Sequence, residues 1–122
     1  MILRKLTEAD LTIPVLYILY TRGVRTTRDL KYNLLYILNP GGNNLDPLLN
    51  RNDTAIHQII RNIISHRTNS TNIICRGLID YNSRTGVLSI TDYGISYLDY
   101  YIVSRIISEL NYNDPIWVLG IC

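Results

Sequence analysis

The residues of this chain that could do chemistry are cations and small polar groups gathered at three places. The first is His66-Arg67-Thr68-Asn69-Ser70-Thr71-Asn72, an unbroken polar run between segments rich in isoleucine. Arginine pairs with guanine edges and asparagine with adenine, while serine and threonine hydroxyls hold phosphates. The same residue types also make a solvated turn with helix caps. The second place is Arg25-Thr26-Thr27-Arg28. Free N–H groups at a helix start, flanked by two guanidinium groups, suit a phosphate; an ordinary capped helix start reads the same way. The third is the polar turn Asn82-Ser83-Arg84-Thr85-Gly86, whose Arg84 could enter a minor groove or meet a phosphate, or simply face water. Arg61 and Arg67 would extend a basic edge.

Catalytic patterns are missing. There is no HExxH, P-loop, GxSxG or GxGxxG run. His57 and His66 do not fall on one helical face, and Asp80 and Asp92 read as a strand end and a helix cap. Ten tyrosines and no phenylalanine invite a nucleophile reading, but no Arg/His constellation accompanies one, so packing is the expected role. Cys75 and Cys122 have no metal or redox spacing; Cys75 falls in a predicted helix and is expected in the core. No cofactor and no metal are expected. The net charge is only +2, so contact with a polyanion must come from the placement of charges and not from their excess. The longest apolar run, Leu11 to Tyr20, is too short for a membrane span and holds Thr12 and Pro14. With no signal-peptide pattern in MILRKLTEAD, an intracellular (cytoplasmic) protein is expected.

The elements that must position these groups follow from periodicity. Thr7-Glu8-Ala9-Asp10 has the form of a helix start, yet Pro14 favours a later cap, giving a first helix over Thr12 to Arg22 that ends at Gly23. Thr26 or Thr27 caps a second helix, which stops at Leu38 before Asn39-Pro40-Gly41-Gly42. A linker runs from Asn39 to Asn52. Asp53 then opens a third helix with the stripe Ile56, Ile59, Ile60, Ile63 and Ile64. The polar run predicts a break near Arg67 to Asn69 and a short fourth helix reaching Arg76; one continuous helix is the other option. Leu78 to Tyr81 and Val87 to Thr91 predict a hairpin. A last helix over Asp92 to Leu110 carries Ile95, Leu98, Ile102, Ile106 and Leu110, widened by Tyr97, Tyr101, Val103 and Ile107. That stripe is broader than one small core needs. An apolar tail, Ile116 to Ile121, must also find cover. One domain spanning 1–122 is expected, with its core at about 7–101.

Arg76-Gly77-Leu78-Ile79, followed by Ile90-Thr91-Asp92-Tyr93-Gly94, resembles the winged helix-turn-helix N-terminal domain of Mrr-type restriction endonucleases and archaeal winged-helix regulators. The likeness runs from about Thr7 to Tyr101 and includes Pro14-Val15-Leu16 and Asp29-Leu30. The Asn-Arg and aromatic pattern of that family's recognition helix is absent from 66–72, and no Asp…Glu-x-Lys cluster occurs, so cleavage is not expected.

The resemblance implies an α+β winged helix-turn-helix with a two-stranded β wing and a long C-terminal helix. The implied function is non-catalytic binding of double-stranded DNA, as a transcriptional regulator of an archaeal cell or virus. The contacts would come from Arg25, Thr26, Thr27 and Arg28, from the run His66 to Asn72, and from Arg84. A homodimer through the C-terminal helix 92–110 and tail 111–122 would present two such surfaces. The alternatives are a protein-interaction module on the same fold and a DNA-recognition accessory of a restriction-type nuclease.

Overall fold

The computed structural model describes residues 6–38 and 47–113, with side chains over 6–38 and 55–110. The elements are α1 (Glu8–Arg22), β1 (Arg25–Thr26), α2 (Thr27–Leu38), α3 (Pro47–Ser65), β2 (Ile79–Asn82), β3 (Val87–Ile90) and α4 (Asp92–Asn113). The strands form one antiparallel sheet in the order β1-β3-β2, with Arg25 opposite Leu88 and Ile79 opposite Ile90. The expected α+β class is what the fold shows. The hairpin is not a two-stranded unit, however, because Arg25–Thr26 pairs along the other edge of β3. A strand of two residues is too short to leave an alternating pattern in the sequence.

α1 starts a full turn earlier than expected. Thr7 and Asp10 form a reciprocal capping box: the Asp10 N–H donates to Thr7 Oγ1 and the Thr7 N–H to Asp10 Oδ2. That box holds the first turn even though Pro14, inside the helix, gives up one backbone hydrogen bond. Thr26 caps α2, its Oγ1 accepting the Asp29 N–H at 3.2 Å. α3 begins at Pro47 and not at Asp53, so part of the expected linker is helical; Pro is at home in a first turn. The remaining linker residues, 39–46, lie outside the described residues, as do 114–122 with the whole apolar tail.

Segment 66–78 is not a fourth helix. Successive turns carry the chain away from α3, with Asn69 N–H bonded to the His66 carbonyl and Asn72 N–H to that of Asn69. Asn72 then caps a single turn, its Oδ1 accepting the N–H groups of Ile74 at 2.8 Å and Cys75 at 3.4 Å. The turn closes at once. Leu78 N–H donates to the Ile73 carbonyl and Gly77 N–H to that of Ile74, with Gly77 at φ 80°. This is a Schellman closure, which needs a residue that tolerates positive φ. Ile73 and Leu78, both buried, supply its apolar contact.

The core joins Leu11, Val15, Leu16, Ile18 and Leu19 of α1 to Leu30 and Leu34 of α2 and to the α3 stripe. Leu78, Ile79, Leu88 and Leu98 close it from the sheet and α4. The start of α4 is fixed by Thr91. Its N–H donates to the Leu78 carbonyl, its hydroxyl donates to the Gly77 carbonyl, and its Oγ1 accepts the Gly94 N–H. A β-carbon on Gly94 would run into the Leu78 carbonyl oxygen and Ile90 Cγ1, so only glycine allows this approach. Beyond Leu98, α4 is exposed as far as Glu109. Cys75 corrects its expected place in the core: it is exposed. It falls on the outer side of the one-turn segment that Asn72 caps. No helix among the described residues is long and apolar enough to cross a membrane.

Candidate functional site

Two side-chain ladders, one on α2 and one on α3, meet across a cleft. On α2, Thr27 and Lys31 share a face with Arg28 and Tyr32; on α3, His57, Arg61 and Ser65 follow one another at helical spacing beside Ile60 and Ile64. The inner stripe of α3 (Ile56, Ile59, Ile60 and Ile63) is buried, and this turns His57 and Arg61 outward. Together with Tyr81 of β2 these side chains line a cavity of about 550 Å³. Arg28, Lys31 and Arg61 bring three cations to it, and among the described residues no carboxylate lines it.

The rings are already engaged by cations. The Arg28 guanidinium lies 5.9 Å and the Lys31 ammonium 5.0 Å from the centre of the Tyr32 ring. Arg67 stacks 5.7 Å over Tyr81 while its Nη1 donates to the Ile64 carbonyl at 2.8 Å. A cation is favoured at that carbonyl, which lies at the negative end of α3. Arg67 therefore reaches the rim of the cleft from a turn outside α3.

A second, shallower hollow runs along the hairpin, lined by Asp80 to Thr85 with Val87 and Ser89. Asn82 shapes its tip, with Oδ1 accepting the Arg84 N–H at 2.9 Å and the carbonyl accepting the Gly86 N–H at 2.7 Å. The backbone at Arg84 is thereby fixed and its side chain is exposed. Tyr81 lines both hollows, so the cleft bearing Arg28 and the hairpin bearing Arg84 share one side chain, and Arg67 lies over its ring.

The residues singled out in the sequence divide accordingly. Thr27 and Arg28 line the cleft. Arg67 sits at its edge and Arg84 on the neighbouring hairpin. His66, Thr68, Asn69, Ser70 and Thr71 are exposed on the turns after α3. Thr26 is exposed but serves as the α2 cap. Arg25 is in β1 and not at the helix start, half-buried, with Nε donating to Asn33 Oδ1 at 3.1 Å and Nη1 to the Val24 carbonyl. Asn72 is 2 % exposed and faces inward, its Nδ2 donating to the Ile63 carbonyl at 2.9 Å. It is a clip between the turn and α3 and is not presented to a ligand.

Lys31, Tyr32, His57 and Tyr81 were missed, and Arg61 was noted only as a possible extension of the basic edge. Their signal was present in the sequence as i, i+4 spacing of polar residues on the faces opposite the leucine and isoleucine stripes. Nothing marked Tyr81 among ten tyrosines. Among the described residues no group of three or more His, Cys, Asp or Glu side chains comes together as a metal site. With cations, two ring faces and an apolar floor of Ile60 and Ile64, the cleft is suited to holding an anion that carries a flat ring. Comparison of the chain with protein-family models, with curated proteins and with solved structures finds no match.

Proposed function

We propose that this chain is a non-catalytic, winged-helix DNA-binding protein that acts in transcriptional regulation. The observation that carries the reading is the convergence of Arg28, Lys31 and Arg61 on a cleft that no carboxylate lines among the described residues, in a chain whose net charge is only +2. Placement supplies the local field that composition does not. The order helix, strand, helix, helix, hairpin, helix, with sheet order β1-β3-β2, is compatible with a winged helix. In that frame α3 is the recognition helix, and its exposed His57, Gln58 and Arg61 take over the role first assigned to 66–72. Arg84 on the β2–β3 turn is the wing contact. Thr27 and Arg28 at the start of α2 face the phosphate backbone.

The test is a salt titration of duplex binding. Each phosphate neutralised contributes about 0.9 to the slope of log K against log salt. The double variant Arg28→Ala, Arg61→Ala is expected to lower that slope by about 2. Absence of binding to any duplex at low salt overturns the reading.

The exposed face of α4 supports a second copy as partner. Tyr100 is 76 % exposed, with Val103 and Ile107 on the same side of the helix, while Ile102 and Ile106 (53 % exposed) continue the line of Leu98 on the other. A dimer is expected in sedimentation, abolished by Ile106→Lys with Ile107→Lys; a monomer at high concentration refutes it. The same face is what favours the second functional reading, a protein-interaction module, in which α4 and not the cleft is the working surface.

A further inference from the structure

We infer that the cleft between α2, α3 and β2 holds a single unstacked nucleotide, its base against Tyr32 or Tyr81 and its phosphate on Arg28, Lys31 or Arg61. The inference rests on the DNA-binding reading and narrows it from plain duplex to nucleic acid with a base out of the stack.

The shape is the first argument. Arg61 is exposed at the surface and at the same time lines a hollow of about 550 Å³ walled by α2 on one side and β2 on another, so a ligand can enter between the elements as well as lie across them. That volume is in the range of small-molecule sites, roughly 300–1,000 Å³. The lining is the second argument. Phosphate alone needs only cations. Here two tyrosine rings from different elements line the same space, and Ile60 contributes an apolar floor. Bases within a duplex have both faces covered by their neighbours, so a ring-lined hollow gains nothing from them. An unpaired nucleotide offers a bare ring and a phosphate together, and base–aromatic stacking is the usual device for taking it.

The third argument is the cations over the rings. Lys31 and Arg28 lie 5.0 and 5.9 Å from the Tyr32 ring centre, and Arg67 lies 5.7 Å from that of Tyr81. A base arriving on either ring replaces a cation on an electron-rich face, and the displaced cation is then within a side chain's swing of the phosphate.

The experiment compares four probes by fluorescence anisotropy or calorimetry on the full chain: a blunt duplex, the same duplex with one bulged nucleotide, a single strand, and a free nucleoside monophosphate. The bulged duplex and the single strand are expected to bind at least about tenfold more tightly than the blunt duplex. Tyr32→Ala, at an exposed helix position, is expected to remove most of that advantage, read as the ratio of bulged to blunt affinity. Tyr32→Phe is expected to keep it. Saturable binding of the free monophosphate that competes with the bulge assigns the site to soluble nucleotides as well as to DNA. Equal affinity for blunt and bulged duplex, with no monophosphate binding, overturns the inference and leaves the DNA-binding reading intact. An advantage that survives Tyr32→Ala combined with Tyr81→Ala also overturns it. Monophosphate binding with no affinity for any DNA would keep the nucleotide site and remove the regulator.

Discussion

Replacing Asn72 separates a fold contact from a DNA contact, because its residue type suits both. Its Oδ1 accepts two backbone N–H groups, from Ile74 and Cys75, and its Nδ2 donates to the Ile63 carbonyl. Asn72→Ala removes an N-cap, which costs about 1 kcal/mol. It also strands polar backbone groups in a site that is 2 % exposed, which adds roughly 1–3 kcal/mol. The sum is about 2–4 kcal/mol, and for a domain of this size that lowers Tm by on the order of 10 °C. Asn72→Ser keeps an acceptor at the cap but cannot reach Ile63, so about half the loss is expected. Thermal unfolding by circular dichroism gives the stabilities. Duplex binding measured well below either Tm gives the functional consequence, which is expected to be no more than about twofold. A variant as stable as the parent that loses DNA binding would refute this account and return Asn72 to the interface.

Other substitutions test the neighbouring joints. Gly94→Ala places a methyl group on the Leu78 carbonyl, where backbone and not a flexible side chain must give; a loss of about 3 kcal/mol is expected by urea unfolding, and a neutral result would mean that α4 does not lie this close. Cys75→Ser is expected to leave stability within about 0.5 kcal/mol, because the side chain is exposed; a large loss would put Cys75 back in the core.

What the sequence disclosed follows the range of the interactions involved. The inner faces of α1, α2 and α3 are written in leucines and isoleucines at helical spacing, and those residues do form the core. Gly77-Leu78 and Thr91 to Gly94 were recognisable because each residue has a local geometric reason: a positive φ at Gly77, a cap at Thr91 and a close approach at Gly94. What was hidden depends on partners distant in the chain. β1 exists because β3, over sixty residues later, offers it an edge. Asn72 belongs to α3 and to its own turn at once, so its polarity read as exposure. The cleft needed α2, α3 and β2 to be brought together before Lys31, Tyr32, His57 and Arg61 had anything in common.

Tyr81 shows why the basic groups of this chain are best treated as one surface. In sequence it is one residue of a short strand. In the fold its ring lines the α2–α3 cleft on one side and the hairpin hollow on the other, and it carries Arg67. Arg67 in turn is anchored to Ile64, whose side chain lines the same cleft. A ligand that touches Tyr81 therefore meets the hairpin bearing Arg84 and the turn bearing Arg67 through a single side chain. The turns from His66 to Thr71 then have a role that does not require each of them to meet DNA. They return the chain across the end of α3, and Asn72 clips them there, so that one guanidinium lies against one ring. On this view the polar run is the mount for Arg67, and the surface that selects a ligand is made by α2, α3 and the hairpin around Tyr81.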